Sequence, residues 1–475
     1  MTISLLAYLL IPLFSAILIQ FASRAKQNFA DIVGNITLFS GLLNIGYLLF
    51  RPSNFKFSLS HIAQDIFTLL MIFMIYLVAF CVSLFSSGFL SGEKNRHHFH
   101  SLILISVAAM CGIVMAGDFF TLYIFVEALS IASLALIAFD GDKDGLQGSI
   151  KYFLRAFPAS LLILFAIAIL LFSAGTFSFA GLQNTIVSGQ APFPIVLAIA
   201  LMLAGFLIKS GIFPFHLSSV DTCQKAYSPV SAFFCGAITK VSGLYALIKI
   251  ALLFNFSDLK LYKISETLML LGAISILFGA LAAMRQKDFK KMLAFSNISQ
   301  LGYIVIALGL ATPLAILGAI FHMLNLSTFK TILFLNNASL EKSLTSRDMK
   351  KIGGLRHLMP WTSWSSVTAF MSTAGMPPLS GFWSKLIIIT ALWQGGAIGY
   401  SWLAIGASIL TLVHFIMVQR KMFFGRITDM VKEAGEMPPV MLAPIIILCI
   451  LIIVSGILFP YFYSSLIETS TRAIL

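Results

Sequence analysis

GDFFTLYIFVEALSIASLALIAFD, residues 117–140, is an apolar run flanked by Asp118 and Asp140 and interrupted by one carboxylate, Glu127. About 20 such residues cross a hydrocarbon core of roughly 30 Å. A charge at the centre of that core costs on the order of 2.5–3.5 kcal/mol, so Glu127 needs a buried partner or a hydrated path. Asp118 opens the run near one surface, where a helix N-terminus favours a carboxylate, and is read as structural.

Similar runs recur along the chain at about 3–21, 32–50, 66–90, 101–116, 118–139, 152–173, 194–213, 228–252, 267–284, 291–310, 313–336, 361–394, 398–419 and 437–459. Of the 475 residues, 59% are hydrophobic and 10% charged, which is too few charges for a water-facing surface of this size. The N-terminus is apolar with no basic residue before Arg24, so it reads as a retained first span rather than a cleavable signal. The net charge of +13 follows topology rather than nucleic acid. Arg24, Lys26, Lys94, Arg96, Lys143, Lys151, Arg155 and Lys225, then Arg285 to Lys291, Lys342 to Arg356 and Arg420 to Lys432, fall on the face opposite the termini. Arg51, Lys56, Lys260, Lys263 and Arg472 fall on the terminal side. The excess marks the cytoplasmic face and puts both termini outside.

Lys209 in LMLAGFLIKSGIFPFH, Lys240 in SAFFCGAITKVSGLYAL and Lys385 in AGMPPLSGFWSKLIIITAL lie inside apolar spans. A buried lysine is easily switched between charged and neutral forms, because desolvation and a nearby carboxylate pull in opposite directions. One acid facing several lysines favours a conduction path over a static ion pair. His322, Asn325, Phe329 and Lys330 share a face of FHMLNLSTFKTILF, which makes His322 a candidate proton relay. Lys249 is expected to snorkel from a span end. Prolines break two spans beside their lysines, at Pro214 and at Pro377–Pro378. Such paired interruptions point to inverted repeats, with Lys209 and Lys385 as approximate counterparts. The five cysteines are expected to be unpaired buried hydrophobes, and His97, His98 and His100 to lie in a solvated loop without metal. No dinucleotide, phosphate-loop, haem or iron–sulfur motif is present in the sequence, so no cofactor and no catalytic site of its own are expected.

The fold expected is an all-α polytopic membrane protein of about fourteen transmembrane helices, with two inverted five-helix repeats and two broken helices. It forms one domain over 1–475: peripheral N-terminal helices (1–100), a first repeat (101–252), a second repeat (262–425) and a C-terminal helix (437–475).

Together, GDFFTLYIFVEALS, KYFLRAFPASLLIL, FLIKSGIFPFH, SPVSAFFCGAITKVSGLYAL, QKDFKKMLAFSNISQLGYI, FHMLNLSTFKTILF, SRDMKKIGGLRHLMP and AGMPPLSGFWSK resemble the antiporter-like subunits of respiratory complex I, of Mrp-type sodium/proton antiporters and of membrane-bound hydrogenases. The resemblance implies a central polar axis: Glu127 and Lys209 as a coupling pair, Lys240 as the central lysine, His322 as the relay and Lys385 as the terminal group. It further implies proton translocation, with or without sodium, inside a multisubunit complex in a prokaryotic cell membrane, alongside related antiporter-like subunits. The chain departs from the family pattern at Leu326 and Gln300, where histidines are usual, and at HLSSVDTC after the first break. The competing expectations are an independent transporter of a small solute and a scaffold that has lost conduction.

Overall fold

The computed structural model describes residues 2–22, 28–49, 66–93, 95–186, 192–254, 262–344, 346–432 and 434–462. Arg24, Lys26, Arg51, Lys56, Lys94, Lys260, Arg472 and the segment 463–475 lie outside the described residues.

Four helices come first: α1 (Thr2–Ala22), α2 (Phe29–Leu49), α3 (Ile66–Phe89) and α4 (Arg96–Met115). The first half continues with α5 (Phe119–Ile137), α6 (Lys143–Ala174), the short α7 (Phe179–Ile186), α8 (Phe193–Ser210), α9 (His216–Lys225), α10 (Ser228–Phe233) and α11 (Ala246–Leu253). The second holds α12 (Tyr262–Met284), α13 (Phe289–Leu310), α14 (Pro313–Leu344), α15 (Pro360–Ala374), α16 (Ser380–Gln394) and α17 (Ile398–Val418), and α18 (Pro439–Phe462) closes the bundle. Thirteen helices among the described residues are long and apolar enough to cross a membrane. The remaining expected span, 361–394, is the pair α15 and α16, each 15 residues and so too short to cross alone.

The two halves reuse one construction. Asp118 caps α5 by accepting from Thr121 N at 2.7 Å, and Asp288 caps α13 by accepting from Lys291 N at 2.8 Å, each satisfying a first-turn amide. Beside the first cap, Phe119 N donates to Phe177 O and Phe179 N to Gly117 O, both at 3.2 Å. Beside the second, Phe289 N donates to Arg347 O and Met349 N to Lys287 O, both at 2.9 Å. Counted along the chain, α5 is the fifth span and α13 the tenth, so the matching helices run in opposite senses.

Both breaks end a helix on a left-handed glycine, Gly211 (φ 73°) and Gly375 (φ 86°), a conformation that costs other residues a Cβ clash. Pro214 and Pro378, each in a cis peptide bond, follow them. Small residues set the tightest helix pair, α12 on α13. A Cβ on Gly272 would stand 2.6 Å from Ile306 N, and one on Gly302 would stand 2.6 Å from Gly272 O. Backbones this close gain packing that lipid tails cannot supply. Helices α1 and α2 keep most of their surface outward, whereas α3 is largely buried and packs on α18, α14 and α10.

Three expectations about buried groups change. Lys249 is buried, with its ammonium 5.7 Å from the centre of the Phe67 ring and 5.8 Å from that of Tyr245, because neighbouring helices cover the span end where it would have snorkelled. His100 is buried in α4, 3.1 Å from Asp31 and 3.0 Å from Ser83 Oγ, and Asp31 also binds Arg96 at 2.6 Å; the carboxylate arrives from another helix, which local sequence does not reveal. Cys223 and Cys235 form a disulfide joining α9 to the segment after α10, while Cys81, Cys111 and Cys449 are free and buried.

Candidate functional site: a buried row of amines

Lys209 lies in the last turn of α8, two residues before the glycine of the first break. Its Nζ donates to Glu127 Oε1 at 3.2 Å and to Ser130 Oγ at 3.0 Å, and Ser160 Oγ on α6 donates to the same carboxylate oxygen. The expected pair is therefore in contact. Lys209 is buried, but the Glu127 side chain keeps 30% of its surface and stands at the edge of the bundle rather than in its interior.

Lys240 is wholly buried, in a helix whose pitch is widened by the π-helical turns Phe234–Ile238 and Lys240–Tyr245. Turns of this kind free backbone groups and cluster at functional sites. Its ammonium donates to Cys235 O and to Asn297 Oδ1, the latter at 3.1 Å. No direct hydrogen bond joins Lys209 to Lys240 among the described residues. They are brought together through backbone, since Gly243 packs so closely on Ser210 that a Cβ would stand 2.1 Å from its Oγ.

The next residue to Asn297 continues the row. Ser296 Oγ accepts from Lys330 Nζ at 2.5 Å, and Lys330 is wholly buried. His322, two turns before Lys330 on α14 and equally buried, shares a hydrogen bond between Nδ1 and Ser384 Oγ at 3.0 Å. Lys385 follows Ser384. No hydrogen-bond acceptor reaches its Nζ among the described residues, and the ammonium lies 4.7 Å from the centre of the Tyr303 ring, a cation–π arrangement. Asn325 Nδ2 donates to Ser380 O at 3.1 Å and ties α14 to the second break.

Lys209 and Lys385 are not counterparts in register. Counted from the break glycines, Lys209 stands two residues before Gly211, whereas Lys385 stands ten after Gly375. Thr373 occupies the place that Lys209 would have, and its hydroxyl only turns back to Ala369 O at 2.7 Å. Counted from the capping aspartates, the residue matching Glu127 is Asn297, the partner of Lys240.

Sequence reasoning missed Asn297, Ser130, Ser160, Ser384 and Tyr303, which are small or uncharged groups whose value lies in contacts across helices. It also placed Arg155 among loop charges. Arg155 is buried in α6 beside the first break, 5.3 Å from the Tyr152 ring centre, and no acceptor reaches its guanidinium among the described residues. No group of three or more His, Cys, Asp or Glu that would hold a metal ion occurs among the described residues.

A helical bundle with two broken helices and a row of buried amines defines an antiporter-like membrane protein. The chain belongs to the NADH:quinone oxidoreductase/Mrp antiporter transmembrane family, whose pattern matches residues 116–411. It is 30% identical over 397 residues to a Na(+)/H(+) antiporter subunit of Alkalihalophilus pseudofirmus, covering 83% of this chain and 80% of that one. It is also 30% identical over 415 residues to an NADH-quinone oxidoreductase subunit of Desulforudis audaxviator, covering 83% and 82%. A chain of the Mrp complex from Dietzia sp. DQ12-45-1b superposes with a TM-score of 0.89 at 24% identity over 100% of this chain and 97% of that one, and supports the fold.

Proposed function

We propose that this chain is a proton-translocating subunit of a multisubunit membrane complex of the Mrp antiporter or complex I type, working beside related antiporter-like subunits. The observation that carries the reading is the contact between Glu127 and Lys209 at one end of the row Lys240, Lys330, His322 and Lys385. While Glu127 holds the Lys209 ammonium, the proton stays. When the carboxylate moves off, desolvation favours the neutral amine and the proton leaves toward Lys240. Asn297 and Ser296, adjacent on α13, accept from Lys240 and Lys330 respectively and so link the two amines through one helix. His322 passes the proton on through Ser384 to Lys385, the terminal group.

The membrane is that of a prokaryotic cell, with the Lys- and Arg-rich loops inward and both termini outward. Names of the relatives also support sodium exchange, and the same axis would then supply its proton limb. The test is to purify the complex containing this chain, reconstitute it in vesicles and follow proton flux with a pH-sensitive dye. Glu127→Ala and Lys209→Ala are expected to abolish flux with the complex assembled; full flux in both variants sinks the reading.

A further inference from the structure

Between α12, α13 and α17 lies a cavity with about 10 Å³ of room for water, the space of a single molecule. Its polar lining is Ser296, Ser299, Gln300, Thr411 and His414. Four of the atoms there, Ser299 Oγ, Gln300 Nε2 and Oε1 and His414 Nε2, are shut from solvent and meet no partner among the described residues. Buried polar atoms converging on a water-sized space are the setting in which an ordered water is retained. The cavity also touches the axis, because Ser296 is the hydroxyl that accepts from Lys330. His414, on α17, keeps 8% of its surface.

We infer that this cavity is a water site and that His414 is a relay residue supplying protons to Lys330 from the Lys- and Arg-rich end of α17. This rests on the proton-translocating reading above. A proton taken up by neutral His414 makes the imidazolium. The imidazolium gives a proton to the water, the water gives one to Ser296 Oγ, and Ser296 gives its own to neutral Lys330 Nζ. One N–H bond breaks on His414 and one forms on Lys330, and the water and hydroxyl end unchanged. The remaining lining is apolar, Ala280 and Ala283 on α12 with Leu410 and Phe415 on α17, and the two small alanines leave the space that the water fills.

The test uses the reconstituted complex. His414→Leu removes the relay group, and Ala280→Val fills the cavity without touching a polar atom. Both are expected to lower proton flux on the order of 100-fold with normal assembly, and added imidazole is expected to restore several-fold flux to His414→Ala, a response that lost packing cannot give. Lys209→Ala is measured in parallel. If it is inactive while His414→Leu and Ala280→Val run at the unsubstituted rate, the side branch is overturned and the axis stands. If Lys209→Ala also runs at full rate, the axis itself falls.

Discussion

The two broken helices carry the same backbone device and opposite electrostatics. At the first, the lysine lies before the glycine turn and holds a carboxylate at 3.2 Å; at the second it lies after the turn, its ammonium 4.7 Å from the centre of the Tyr303 ring and reached by no acceptor among the described residues. The repeat copies caps, bridges and bends, because those follow from backbone geometry. It does not copy the charges: one end of the row faces an acid, and at the other no acceptor among the described residues reaches the amine.

The sharpest way to break this comparison is to neutralise each end. Glu127→Gln leaves a buried ammonium without its anion and is expected to cost on the order of 3 kcal/mol, read as a lowered midpoint of thermal unfolding in detergent. Lys385→Met removes a buried amine that no acceptor holds, and should leave stability unchanged or higher while reducing flux on the order of 100-fold. A Lys385→Met protein as destabilised as Glu127→Gln would mean that the second end is paired after all. Restoring the missing acid tests the same point: Asn297→Asp gives Lys240 a carboxylate at the position matching Glu127, and each pK unit of extra hold, about 1.4 kcal/mol, slows proton release about tenfold. Faster flux in that variant would contradict the holding role.

Smaller effects sharpen the picture. Tyr303→Leu removes the ring beneath Lys385 and should cost about 1–2 kcal/mol, whereas Tyr303→Phe keeps the ring and loses only the hydroxyl bonds to Ala404 O and Ser408. Equal flux and stability in the two variants would place the importance in the hydroxyl. Smallest is the pair Asp118→Ala and Asp288→Ala. Each deletes a helix cap worth about 1 kcal/mol, and the two midpoints should fall equally if the halves share one construction.

Much of this was legible in the sequence, and for local reasons. Spans reveal themselves because crossing lipid demands length and apolarity within one segment, and breaks because proline acts on its own turn. Glu127, Lys209, Lys240 and His322 stood out because each is costly where it lies. What stayed hidden depends on neighbours distant in sequence. Lys249 and Arg155 are near span ends, and only the packed fold decides whether another helix covers them. Asn297 and Ser384 look ordinary until an amine and an imidazole approach. The supposed equivalence of Lys209 and Lys385 came from matching lysine to lysine; matching glycine to glycine shifts the register and leaves Thr373 in that place.

The widened turns around Lys240 carry one more consequence. A π turn behaves as an inserted residue retained within a helix. Excising a single residue between Phe234 and Tyr245 would let one widened turn tighten to ordinary pitch and shift Lys240 relative to the Cys235 carbonyl that it binds. A one-residue deletion in this segment is therefore expected to disturb the Lys240 site where an apolar exchange at Val241 or Leu244 is tolerated.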